Sequence, residues 1–138
     1  QKGKGCPTWS LALRGFLKRG GNIIFLSPTS EGLSFINECG LGPIRSGPAG
    51  RSWEITDEGR KLGINVEGMI KNVNASHYYR KSAPWEVWGA AQGGADGAIL
   101  LGRQVDRGWV MVFGSDFYQS NDTIKEILFR LIQFNGRG

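Results

Sequence analysis

Three groups of residues in this 138-residue chain have the types that chemistry asks for. The first is Cys39 together with the single histidine, His77. A catalytic thiolate needs a base such as histidine and a group to orient it, and the nucleophile elbow of α/β folds would set it on a tight strand-to-helix turn flanked by small residues. Cys39 is followed by Gly40 but preceded by Glu38, at what reads as the end of a helix, so a packing cysteine is the plainer reading. His77 stands between Ser76 and Tyr78 and reads as a surface or polar-contact residue. One histidine also supplies too few ligands for a histidine-based metal site.

The second group is a pair of hydroxyl-rich turns, Ser27-Pro28-Thr29-Ser30 and Gly114-Ser115-Asp116, each directly after an apolar run. If those runs are parallel neighbours, Ser27, Thr29, Ser30, Ser115 and Asp116 converge on one rim. Open α/β sheets bind ligands there, and helix N-termini favour an anion there. The same residues also serve as helix caps and turn formers, their commoner use.

The third group is aromatic: Trp53, Tyr78, Tyr79, Trp85 and Trp88, with Arg80 and Lys81 interleaved. Exposed, Trp53, Tyr79, Trp85 and Trp88 would form a platform that stacks on sugar rings or bases. Covered, they would close a sheet edge or meet a protein partner. The carboxylates Asp57, Glu58, Asp106 and Asp116 show no spacing that argues for acid–base catalysis or a magnesium site. The pairs Gly20-Gly21 and Gly93-Gly94 lack the Lys-Ser/Thr of a phosphate loop. No catalytic set, metal or cofactor is expected.

The elements that must position these groups follow from periodicity and punctuation. Trp9, Ala12, Leu13, Phe16 and Leu17 recur at helical spacing after Pro7-Thr8, and Gly20-Gly21 stop that helix. Asn22–Leu26 reads as a short buried strand, and Ser30 as the cap of a helix carrying Leu33, Phe35 and Ile36. Residues 41–63 read as loop-rich, with a short strand over 51–56 and a turn or a single helical turn at Thr56-Asp57-Glu58-Gly59. An edge strand is expected within 64–73 and a short strand over Trp85–Trp88, whereas 74–83 has no clear pattern. Gly93 to Gly97 reads as a turn. Ala98–Gly102 and Trp109–Phe113 pair as a hairpin across Gln104–Gly108. Ile124, Ile127, Leu128, Leu131 and Ile132 form the apolar stripe of a last helix, capped by Ser120 or Asn121.

The totals bound the partners. Hydrophobic residues make up 40% of the chain, enough for a core and too many for a disordered segment. The 22 glycines are scattered, which suits many turns rather than a repeat. The net charge of +5 is dispersed beyond a basic start, which suits a solvated surface better than a nucleic-acid site. No apolar run approaches the roughly 20 residues of a membrane helix. The opening Gln-Lys-Gly-Lys-Gly shows no signal-peptide pattern, so compartment stays open. Cys6 and Cys39 are free to pair or not, and the sequons Asn74-Ala75-Ser76 and Asn121-Asp122-Thr123 matter only on a secretory route.

Two stretches carry a resemblance. Phe16 to Leu26 (Phe-Leu-Lys-Arg-Gly-Gly-Asn-Ile-Ile-Phe-Leu) is similar to the helix, Gly-Gly, apolar-strand step of class I glutamine amidotransferase-like domains. The run Gly-Trp-Val-Met-Val-Phe-Gly-Ser-Asp-Phe from Gly108 resembles the closing strand, turn and helix of non-catalytic members of that superfamily. Such members include intraflagellar-transport, trehalose-utilisation-like and glycosidase accessory domains. Residues 8–40 and 97–134 are covered. The strand that usually opens such domains has no counterpart ahead of the Trp9 helix. The resemblance implies a non-enzymatic binding or interaction module, linked to carbohydrate or accessory to a larger protein, with a protein or a small polar ligand as partner.

The expectation is therefore one three-layer α/β domain over residues 1–138, with residues 1–6 as a frayed end. Its sheet is mixed and mostly parallel, with a C-terminal β-hairpin and flanking helices. The alternative is a divergent hydrolase or amidotransferase using Cys39 or the Ser27/Asp116 rim. A third reading is a weak basic nucleic-acid binder.

Overall fold

Apolar runs and glycine breaks lay down the strands, and stripes at helical spacing lay down the helices that cover them. In chain order the elements are α1 (Cys6–Lys18), β1 (Asn22–Leu26), α2 (Ser30–Glu38), β2 (Ser52–Ile55), α3 (Asp57–Lys61) and β3 (Ile70–Lys71). They continue with β4 (Tyr79–Arg80), β5 (Glu86–Ala91), β6 (Gly97–Val105), β7 (Gly108–Phe113) and α4 (Asp122–Ile132). This computed structural model describes residues 6–48, 52–64, 66, 70–71, 77–91, 97–115 and 122–134, with the backbone alone at 6–10 and 71. The expected caps Ser120 and Asn121, most of the Gly93–Gly97 turn, and residues 1–5 lie outside the described residues.

All seven strands join one sheet in the order β1-β7-β6-β5-β2-β3, with β4 also paired to β6. β1 and β7 run parallel, from Asn22 opposite Trp109 to Leu26 opposite Phe113. The other five strand pairings among the described residues are antiparallel. The sheet is thus mixed but mostly antiparallel, which corrects the expected mostly parallel one. The reason lies in connection length. Two residues separate β6 from β7 and five separate β5 from β6. A parallel crossover takes about a dozen or more. The strands expected within 51–56 and 64–73 form as β2 and β3, with β3 at the sheet edge, and 77–91 adds β4; all three pair antiparallel.

Side chains alternate along β7 as a strand requires. Trp109, Met111 and Phe113 join Trp53, Ile55 and Trp88 in a cluster closed by Ile124, Ile127 and Leu131 of α4. Val110 and Val112 join Leu101 and Val105 in a second cluster with Leu17 of α1 and Leu33 and Ile36 of α2. β1 is only half-buried, and not buried as its apolar run suggests, because it lies at the sheet edge with β7 as its neighbour. On α1, Ala12 and Phe16 are exposed while Leu17 is fully buried. Thr29, not Ser30, holds the N-cap position of α2, without a side-chain capping bond. Thr56 does cap α3, accepting a bond from the Gly59 amide.

The stripe on α4 is narrower than its spacing implies. Ile127 is fully buried, whereas Ile132 is 63% exposed. Ile127→Ala should therefore cost about 2–5 kcal/mol, and Ile132→Ala under about 0.5 kcal/mol. Urea unfolding of the two variants checks this, and equal losses would mean the helix faces the sheet with a different side.

Candidate functional site

The carboxyl ends of β1 and β7 lie side by side, and the turns that follow them start together. The Ser27 amide donates to the Phe113 carbonyl at 2.7 Å, one step beyond the strand pairing. Ser27 has φ of +46°, the left-handed region that residues other than glycine seldom occupy. That turn carries the chain from β1 into α2 within three residues. The Ser27 Oγ is buried and has no hydrogen-bond partner among the described residues.

The end of β7 is held from a different segment. The Gly114 amide donates to the Ile99 carbonyl, and its own carbonyl accepts the His77 amide, both at 2.7 Å. A Cβ on Gly114 would press into the His77 carbonyl oxygen, so only glycine lets the two backbones meet. Two residues after His77, β4 takes over pairing with β6 at Gly97 and Ala98, where β7 has ended. The imidazole Nδ1 of His77 is buried and, like Ser27 Oγ, unpartnered among the described residues. Ser27 is thus anchored to Phe113 and His77 to the next residue, Gly114. Ser115 follows, only 2% exposed.

Tyr79 locks the turn from below. Its hydroxyl donates to the Pro28 carbonyl at 2.9 Å. Burial pushes the phenol upward, so it stays a protonated donor at neutral pH. Thr29 and Ser30 are exposed, and Ser30 lines a shallow hollow outside α2 with Glu31, Ser34, Phe35 and Glu38. Asp116 lies outside the described residues. The structure therefore places Ser27 and Ser115 after adjoining parallel strands, turns Ser30 outward, and adds His77. The sequence names His77 but could not place it beside this turn, because β4, two residues long, leaves no periodic trace.

The aromatic group is core, which corrects the platform reading. Trp53 and Tyr79 are each 1% exposed, Trp88 0% and Trp85 6%. Trp53 meets Phe113 edge-on, and Trp88 packs on Trp109. The polar tips are used internally as well: Trp85 Nε1 donates to the Pro43 carbonyl at 2.6 Å and Trp88 Nε1 to Glu86 at 3.2 Å. No ring face is left for stacking on a ligand.

Cys39 is removed from the chemistry. It caps the C-terminal end of α2, is 5% exposed and is disulfide-bonded, so it offers no nucleophilic thiolate. The chain's other cysteine is Cys6, at the start of α1. Asp57 and Glu58 pair with Arg60 and Lys61 on α3.

The rim offers a hydroxyl and an imidazole nitrogen, both able to donate or accept a hydrogen bond. Its backbone is a strand-to-helix turn with positive φ at the serine. No helix among the described residues is long and apolar enough to cross a membrane. No protein-family model matches the chain, and a search of curated proteins finds no significant match.

Proposed function

We propose that this chain is a binding module whose ligand place is the β1/β7 rim, built on a three-layer frame of the amidotransferase-like kind. Two features support the frame: a helix–Gly-Gly–strand–turn–helix run over residues 6–38, and a closing hairpin followed by α4. Core clusters containing α1 and α2 on one side and α4 on the other suit three layers. The mostly antiparallel sheet is a departure from such domains.

The observation that carries the binding reading is the pair of buried, unpartnered polar atoms, Ser27 Oγ and His77 Nδ1, at the carboxyl end of the parallel strand pair. An unsatisfied buried polar group costs about 1–3 kcal/mol. A small ligand carrying hydroxyl or carboxylate groups would satisfy both, at the place where open α/β sheets bind. With Trp53, Tyr79, Trp85 and Trp88 internal, a sugar would be held here by hydrogen bonds and not by stacking on them. The disulfide at Cys39 and the two sequons fit an oxidising, secretory setting.

Ser27→Gly tests the reading in two ways. Glycine tolerates φ of +46° without the left-handed penalty, so the variant should gain about 1 kcal/mol in urea unfolding. It also loses the hydroxyl. Titrating the wild type with N-acetylglucosamine, glucose and acetate should move the amide resonances of Ser27, His77, Gly114 and Ser115, and the variant should respond much less. No localised shift with any probe, or an unchanged response in the variant, would end the reading.

The strained serine favours one second reading, a hydrolase with Ser27 as nucleophile and His77 as base, on the backbone of a nucleophile elbow. A fluorophosphonate probe would then label Ser27 alone. An unlabelled protein retires it.

A further inference from the structure

β6 alternates between the two faces of the sheet, and Leu101 and Val105 belong to the cluster under α1 and α2. Arg103, midway between them, sends its guanidinium into that same layer. Its Nη1 donates to the carbonyl of Leu41 at 3.2 Å and to that of Gly42. Its Nε is buried with no partner among the described residues. Arg14 of α1 reaches the same loop, since a Cβ on Gly40 would lie 2.9 Å from its Nη2. The two cations feel each other: burial, and then the charge of Arg14, lower the pKa of Arg103. Beside them the Gly40–Pro43 loop borders a shallow cleft of about 470 Å³, lined by Asn37, Gly40, Gly42, Pro43 and a third cation, Arg45.

No carboxylate pairs with Arg14, Arg45 or Arg103 among the described residues; the ion pairs of Arg60 and Lys61 lie on α3. Gathering like charges in a partly buried place is unfavourable without a counter-charge. The planar guanidinium fork matches oxyanions in a bidentate way. We propose that Arg14, Arg45 and Arg103, around the Gly40–Pro43 loop, form a receptor for an oxyanion group, a carboxylate, sulfate or phosphate carried on a larger ligand. The place is separate from the Ser27 rim. Arg103 pairs with Val110, three residues back from the end of β7.

The test uses inorganic sulfate, inorganic phosphate and acetate as probes, each against sodium chloride at equal ionic strength. The melting temperature of the wild type should rise saturably with at least one probe beyond the chloride control. The strongest probe then names the ligand class: acetate for a carboxylate, sulfate or phosphate for a tetrahedral ester. Arg14→Gln should raise the half-saturating concentration about tenfold, the weight of one charge-assisted bond. Arg45→Gln, at an exposed position, should weaken the response without unfolding the protein. In the wild type, the Arg103 Nε–H resonance should move with the probe, a readout that needs no variant. Rises no larger than with chloride, or an Arg14→Gln response equal to the wild type, would overturn the proposal. The Ser27 rim would be unaffected by that outcome.

Discussion

Trp88→Ala is expected to cost about 3–5 kcal/mol, among the largest losses available in this chain. Trp88 is 0% exposed and sits on β5, near the centre of the sheet. Its indole lies over Gly102 of β6 so closely that a Cβ there would collide with the ring. It packs on Trp109 with centroids 5.8 Å apart and on Phe134 at 5.6 Å, so three strands and the residues after α4 meet at one side chain. Removing it leaves a cavity that strands joined by hydrogen bonds cannot close, and the Glu86 carboxylate loses its indole donor. Urea unfolding checks the size, and loss of near-ultraviolet circular dichroism checks that the aromatic cluster is the part that loosens. A loss below about 1 kcal/mol would show that Trp88 is not at the centre of the core.

Gly114→Ala is expected to cost about 1–3 kcal/mol or more and to open the rim. The added methyl would meet the His77 carbonyl oxygen, and backbone cannot swing aside as a flexible side chain does. The Gly114–His77 hydrogen bond should break first, since both partners would have to separate. Hydrogen exchange at the His77 amide should accelerate, and ligand-induced shifts at Ser27 should fade. Gly15→Ala on α1 is the control. Its Cβ would meet only the mobile end of Arg19, at 3.3 Å, and alanine favours a helix by about 1 kcal/mol. Destabilisation of both variants to the same degree would argue against a specific clash at Gly114.

Ser27 and His77 differ in how far local sequence could place them. Ser27 sits between an apolar run and a helical stripe, so its position on a strand-to-helix turn was readable. Its left-handed backbone was not, because serine carries no preference for that region. His77 lies in residues 74–83, which show neither a period of two nor one of 3.6. Its place beside Gly114 follows from β4 joining β6 where β7 stops, a pairing between separate segments that no local pattern reveals. Trp53, Tyr79, Trp85 and Trp88 read as core or interface before they read as a platform, but an aromatic ring suits all three and its type alone does not choose.

By itself the sequence determined what local physics controls. The Asn22–Leu26 strand, the α2 and α4 helices, the Thr56-capped turn of α3 and the β6–β7 hairpin all follow from apolar spacing, glycine breaks and caps acting within a few residues. The tertiary structure alone decided which strands adjoin, that most of them run antiparallel, that the aromatic residues turn inward, and that Cys39 is oxidised. It also decided that Ser27 and His77 bond to successive residues at the end of β7, and that the charge of Arg14 is felt at Arg103. Each of these depends on contacts between segments far apart in the chain, whose free energy comes from burial and pairing that no single stretch of residues contains.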